Sequence, residues 1–276
     1  MRALDPSKYR AKRKAATFSD LLAYILLITL ALGVGYLELS KRERITSQRV
    51  DVKTAPPVGV GSENSRLGIP QPQTYSQSYK FTNMNSKGSA PISWDPCRAI
   101  HYVINPNNQP LNGQEMIKYA ISEISYYSGF KFIFDGETDE EFSETRKGYQ
   151  PEKYGEKWAP VLFTWSTPTT HPGLTKEILG EGGASILNRS GDTSIYVTGM
   201  VDLETIALDE YMSSKGDNSK VIAVILHELG HVMGLDHSEG PWEIMYPEAN
   251  MQVTKLGLGD KSGLSILGSQ PCHPEL

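Results

Sequence analysis

The chain has no excess of basic residues. Its 27 lysines and arginines are outnumbered by 32 aspartates and glutamates, which leaves a net charge of −5. Because nucleic-acid binding depends on a surplus of positive charge, we do not expect nucleic acid as a partner. The charged fraction of 21% is that of an ordinary soluble protein, and 276 residues suffice for one good-sized domain with additional segments.

Uncharged hydrophobic runs are also scarce, and one lies near the N-terminus, from Leu21 to Leu37. At about 1.5 Å per helical residue, this run just spans the hydrocarbon core of a membrane. We therefore predict a basic cytoplasmic tail at 1–17 and a transmembrane anchor helix at 18–39. More lysines and arginines precede the run than follow it, which places the N-terminus inside and the remaining chain outside.

Two alternatives to the anchor were weighed. A cleaved signal peptide would secrete the protein, but Gly33-Val34-Gly35 is a poor match to a cleavage site. A buried core helix would show a polar face, which this run lacks. We therefore expect a single-pass protein of the cell membrane, with the membrane as a partner through its N-terminal helix.

Residues 40–77 lack apolar periodicity and are rich in Pro, Gly, Ser and Gln, which predicts a flexible stalk. The folded domain is predicted over 78–276. Alternating apolar patterns favour five strands there, and apolar residues at helical spacing favour three helices. The strands are predicted at 100–104, 130–134, 161–165, 182–187 and 194–198, and the helices at 113–127, from 217 or 218 to 233, and at 261–267.

The sequence has only two cysteines, Cys97 and Cys272, near the two ends of the predicted domain. Outside the cell, such a pair is typical of a disulfide, which would tie the first strand to the C-terminal tail. The alternative is a free thiol at Cys97 that caps a metal. Its neighbours Arg98 and Ala99 do not resemble the context of such a thiol.

Histidines are few, six in all, yet three of them stand in one motif, H-E-x-x-H-x-x-G-x-x-H. His227 and His231 are four residues apart and therefore share one face of a helix. Gly234 lets the chain leave that helix, and His237 follows as a third imidazole. Three protein ligands leave the fourth tetrahedral position to water, as in catalytic zinc sites, and Glu228 is placed as a general base on that water.

This extended motif resembles the signature of the metzincin zinc metalloproteases. Asp236 and Ser238, which flank the third histidine, make it similar to the small bacterial matrixin-like proteases. Ile244-Met245-Tyr246-Pro247 resembles the matrixin Met-turn, with Met245 beneath the metal. The resemblance covers roughly residues 78–276. It implies an α+β zincin domain with a twisted mixed five-stranded sheet, a long zinc-binding helix, the Met-turn and a C-terminal helix.

The resemblance also implies where a protein or peptide substrate binds. In metzincins the strand that borders the cleft takes up the substrate as an extra antiparallel strand, and 182–187 is expected to be that edge. The substrate-binding residues expected from the resemblance are Gly183, Ala184, Ser185, Tyr246 and Pro247. An unpaired edge offers backbone donors and acceptors to an extended peptide.

The predicted function is that of a metalloendopeptidase with one catalytic zinc held by His227, His231 and His237. A non-catalytic zinc-containing surface binding module is the alternative, although Glu228 is present.

Residues 135–157 are expected to be a solvated acidic loop; a calcium site there is an alternative that no ligand spacing supports. The cysteine-containing pro-domain segment of matrixins is absent from the sequence, and the ligands of their second zinc are not recognisable.

Overall fold

The structure is a computed structural model that describes residues 48–72, 76–188, 193–215, 217–248 and 252–275. The predicted tail at 1–17 and anchor at 18–39 lie outside the described residues. Within the described ranges, none of the helices is both long enough and apolar enough to span a bilayer.

A mixed β-sheet forms the centre of the domain. Its strands are β1 Arg49–Val50, β3 Ser93–Trp94, β4 Ile100–Ile104, β5 Phe132–Glu137, β6 Val161–Ser166, β7 Gly180–Asn188 and β8 Ser194–Glu204. Strand β7 is antiparallel to β8, whereas the pairs β8–β6, β6–β4 and β4–β5 are parallel. In the sheet these strands run in the order β1-β7-β8-β6-β4-β5, and β3 pairs with β8. The five long strands are those predicted, and the two-residue strands β1 and β3 extend the sheet to seven.

Strand β6 lies between β4 and β8 and is buried along its whole length. Phe163 and Trp165 join the main core on one face of the sheet, whereas Leu162 packs with Val103 and Met200 on the other. A strand covered on both faces is apolar without strict alternation, which is the pattern of Val161-Leu162-Phe163.

Five helices complete the domain in the described ranges: α1 Gly113–Ser128, α2 Pro151–Tyr154, α3 Thr205–Lys215, α4 Ser219–Met233 and α5 Leu258–Gly268. Helix α1 buries the apolar face that its periodicity predicts and ends at Gly129, whose φ is 73°. Helix α4 packs against β7 and α1. Helix α3 was not predicted, because it follows β8 directly with no turn residue between them.

The described part of the predicted stalk, 48–72, lies against the domain. The backbone N–H of Glu63 donates to the Cys97 carbonyl at 2.8 Å, and that of Leu67 donates to the Pro96 carbonyl at 3.0 Å. The Arg66 guanidinium donates to the Gln270 carbonyl at 2.9 Å, just beyond α5. Residues 48–72 are thus held by the domain rather than free of it, a difference from the stalk prediction. The proposed domain boundaries stay predictions.

The two cysteines form a disulfide between Cys97 and Cys272, as predicted, with Cα atoms 5.4 Å apart. Cys97 is fully buried, and its N–H donates to the Asp95 carboxylate at 2.9 Å. The disulfide joins the segment before β4 to the chain that follows α5, so it closes most of the domain into one covalent loop.

The acidic loop at 135–157 is cross-linked by ion pairs. Arg146, itself buried, donates two hydrogen bonds of 3.0 Å to the Glu140 carboxylate and one to the Thr198 hydroxyl. Lys153 pairs with Asp139 at 2.5 Å. The hydrogen bond from Arg146 to Thr198 ties the loop to strand β8.

Candidate active site

Helix α4 carries the first two candidate ligands. Val221, Ile225 and Leu229 are buried in the main core and fix the rotation of the helix. His227 and His231, one turn apart, then face the same side, and their Nε2 atoms are 3.2 Å apart. The predicted helical spacing therefore directs two imidazoles toward one metal position.

The third imidazole arrives through the turn at Gly234, whose φ of 110° suits glycine and ends the helix. Strand β9, Leu235–Asp236, then pairs antiparallel with β2, Lys80–Phe81. With β9 held by this pairing, the Nε2 atom of His237 lies 3.3 Å from that of His227. The backbone N–H of His237 donates to the Asp236 carboxylate at 2.8 Å, so Asp236 holds the backbone of the third candidate ligand.

The geometry of the three rings fits a zinc ion. Ligand atoms about 2.0–2.1 Å from a tetrahedral zinc lie about 3.3–3.4 Å from one another, close to the separations observed. The Nδ1–H of His227 donates to the Ile244 carbonyl at 2.7 Å, and that of His231 donates to the Leu235 carbonyl at 2.9 Å. Both rings therefore offer an unprotonated Nε2 to the metal. Burial lowers the pKa of His227, which favours the neutral ring that binds metal.

Residues 98–267 match the sequence model of the matrixin family, and this match covers more than half of the chain. The chain belongs to the matrixin family. The predicted family and fold are thereby confirmed, and the family's dependence on zinc agrees with the three-histidine group. A search of the curated proteins gives no match.

In this matrixin, Glu228 lies between the histidines and strand β7. Its side chain is 7% exposed and lines a cleft together with His227. A Cβ atom on Gly180 would lie 2.8 Å from Glu228 Cγ and 3.1 Å from Oε1, so the glycine leaves room for the carboxyl group. The carboxylate is thus positioned beside the first residue of the edge strand and next in sequence to a candidate ligand.

Met245 packs beneath α4, where the Met-turn was predicted. It is 1% exposed, and its sulfur occupies the space that a side chain on Gly230 would fill. The Met245 carbonyl accepts a 2.7 Å hydrogen bond from the N–H of Ser238, next to the third histidine. The turn therefore contacts the site from below the second histidine and beside the third.

Asp260, which directly precedes the predicted helix at 261–267, also contacts the Met-turn. Helix α5 begins earlier, at Leu258, and the buried Asp260 carboxylate accepts from the N–H groups of Ile244 at 2.6 Å and Met245 at 3.2 Å. Burial raises its pKa to about 6. Because the Ile244 carbonyl accepts from His227, Asp260 supports a metal ligand through one peptide unit. Ile244 and Met245 lie 16 and 15 residues before Asp260, so no local sequence pattern indicates this contact.

The cleft beside Glu228 has one wall that was predicted and one that was not. Tyr246 and Pro247 form the first, and Val253 of the following loop extends it. The opposite wall is Ile178-Leu179-Gly180, which precedes the predicted edge strand. The sequence signal for this wall is the apolar pair Ile178-Leu179 before Gly180, a stretch for which no element or role was predicted.

The other tentative substrate residues, Gly183, Ala184 and Ser185, lie on β7 outside this cleft. Gly183 and Ser185 instead line a small depression with Gln48 and Arg146. On the side of β7 away from β8, the pairing that the described residues show is with β1, at Ile186 and Leu187. The prediction that 183–185 bind substrate stays a prediction.

Gly182, the first residue of the predicted substrate-binding edge, faces helix α4. A Cβ atom there would lie 2.7 Å from the backbone carbon and 2.9 Å from the Cα atom of Glu228. The residue therefore allows the zinc helix to approach the sheet closely.

We expect Gly182→Ala to lower the free energy of unfolding by about 1–3 kcal/mol, because the added methyl group meets rigid backbone in a packed core. Denaturant unfolding would measure the loss. The control is Gly148→Ala, whose methyl group meets only side-chain methyls of Val50 and Thr198, at 3.0 and 3.2 Å. Equal stability of the two variants would contradict the interpretation.

The remaining histidines each pair with a carboxylate away from the site. The Nδ1 atoms of His101, His171 and His273 lie 2.7, 2.7 and 3.1 Å from the carboxylates of Asp135, Asp202 and Glu275, respectively. Of the three, His171 is buried, and it stacks on Phe142. These pairings give each ring a structural partner other than the candidate zinc.

Proposed function

We propose that this matrixin is a zinc-dependent endopeptidase that hydrolyses peptide bonds in extracytoplasmic proteins, with Glu228 as general base. The observation that carries the proposal is the position of the Glu228 carboxyl group. It lies in a cleft shared with His227 and beside Gly180, the first residue of the edge strand. A purely structural zinc site does not require a buried carboxylate that lines an open cleft.

When bound by the three histidines, zinc would polarise the peptide carbonyl and lower the pKa of a bound water to about 7. Glu228 accepts a proton from the attacking water as the water oxygen bonds to the carbonyl carbon. It then delivers that proton to the amide nitrogen as the carbon–nitrogen bond breaks. The backbone carbonyls of Ile244 and Leu235 keep His227 and His231 oriented throughout.

The substrate is proposed to lie antiparallel to β7 along 180–185 and to place the side chain after the cleaved bond in the cleft. More than half of the cleft lining is apolar, and Ile178, Leu179, Val224, Pro247 and Val253 contribute to it. Burial of an apolar side chain there stabilises the complex by about 1.5–3 kcal/mol. We therefore expect a preference for apolar residues directly after the scissile bond.

The purified chain, loaded with one zinc, should be incubated with a diverse peptide mixture and the new N-termini sequenced. We expect apolar residues at the new N-termini, and no cleavage after chelation of the metal. Cleavage that survives chelation would contradict the mechanism. Zinc-dependent folding without cleavage of any peptide would instead favour the alternative, a non-catalytic zinc-containing binding module.

We also propose that the N-terminal segment at 18–39 anchors the protein in the cell membrane, with the catalytic domain outside. The disulfide between Cys97 and Cys272 supports this placement, because such bonds persist in oxidising compartments. A chain recovered from cells with both thiols reduced would contradict it.

A further inference from the structure

Strand β1 occupies one end of the edge of β7. The N–H of Ile186 donates to the Gln48 carbonyl at 2.8 Å, and the register pairs Arg49 with Ile186 and Val50 with Leu187. The two strands are parallel. A segment from outside the predicted domain therefore uses backbone groups at which an extended peptide would otherwise pair.

Side chains hold β1 in this position. Val50 packs against a buried cluster of Leu187, Ile195 and Val197, and one of its methyl groups faces Gly148. The Gln48 side-chain amide donates to the Glu144 carbonyl. Further along, the N–H groups of Glu63 and Leu67 donate to the Cys97 and Pro96 carbonyls, so the segment is also held on the C-terminal side of its contact with β7.

The distance between β1 and the candidate active site limits what can pair with the edge. Glu228 contacts β7 at Gly180 and Gly182, and β1 begins to pair at Ile186. At about 3.3 Å per residue, the four steps from Gly182 to Ile186 span about 13 Å. A peptide antiparallel to β7 would have its N-terminal part toward Ile186 and would meet β1 there.

We propose that β1 is a stop that restricts strand pairing to about four substrate residues before the scissile bond. This inference rests on the proposed endopeptidase function and its antiparallel substrate. Residues further toward the substrate N-terminus must leave the sheet, so they add no backbone pairing. The protein substrates are then those that present a short extended stretch before the cleaved bond, whatever fold precedes it.

The test uses peptides that share one cleavage sequence and carry two, four, six or eight residues before the bond. For the wild-type chain, kcat/KM should rise up to about four residues and then stay level. In Val50→Asp, which puts a charge into the apolar cluster, kcat/KM should keep rising, by about 2- to 10-fold for each added backbone pair. Val58→Asp, at an exposed position of the same segment, should keep the wild-type plateau.

A wild-type rate that still rises from six to eight residues would overturn the proposal, as would an unchanged plateau in Val50→Asp. Val50→Ala, a milder change, covers the case in which the charged variant does not fold. Amide exchange at Ile186 separates this proposal from that of the peptidase. The amide should be protected in the wild-type chain and exposed in Val50→Asp, even if no peptide is cleaved; free exchange in the wild type would contradict the stop.

Discussion

Glu228→Gln should lower kcat by about 10²–10⁴-fold while the chain keeps one zinc. A positioned general base contributes a factor of this size, and glutamine cannot accept the proton of the attacking water. Glutamine has nearly the same shape as glutamate, so it fits against Gly180 as Glu228 does. The three histidines and their backbone partners are unchanged, which is why metal content should not fall.

The measurement pairs steady-state kinetics on one cleaved peptide with metal analysis of the purified variant. Glu239→Gln is the matched control, because Glu239 is exposed and pairs with Lys80 at 2.7 Å on the surface. It should retain wild-type kcat. A Glu228→Gln enzyme within about threefold of wild type would remove Glu228 from the role of base. Loss of zinc from the Glu228→Gln variant would instead indicate that Glu228 has a structural role at the metal site.

The metal site was predictable from the sequence because its geometry is local. Two histidines four residues apart on a helix must share a face, and a glycine in the left-handed conformation must turn the chain soon after. His227, His231 and His237 therefore converge as predicted. The same locality made β4, β6 and α1 predictable, since their apolar patterns span a few consecutive residues.

The features that sequence analysis missed depend on partners far away in the chain. Composition alone predicted a stalk before residue 78, yet Val50 finds its partners in β7 and β8. Asp260 accepts from the N–H groups of Ile244 and Met245, which lie 16 and 15 residues before it, and nothing near it in sequence indicates those partners. The contact of Gly182 with α4 was not predicted, because the residue pattern of β7 does not say which face of the strand meets the helix.

Replacing both Cys97 and Cys272 with serine should lower the free energy of unfolding by about 5 kcal/mol. The disulfide spans 175 residues, and in the chain-entropy model closing so long a loop removes that much freedom from the unfolded chain. The Cys97 carbonyl also accepts from Glu63, so the packing of 48–72 on the domain should weaken as well.

Denaturant unfolding of the double variant measures the loss, with the oxidised wild-type chain as reference. A reducing agent should shift the wild-type chain toward the variant and leave the variant unchanged, which separates the covalent bond from the effect of the serine side chains. Thiol labelling of chain taken directly from cells should modify neither cysteine. An unfolding midpoint equal to that of the wild type would show that packing alone holds Cys97 and Cys272 together. Their two segments would then need no covalent bond to stay in place.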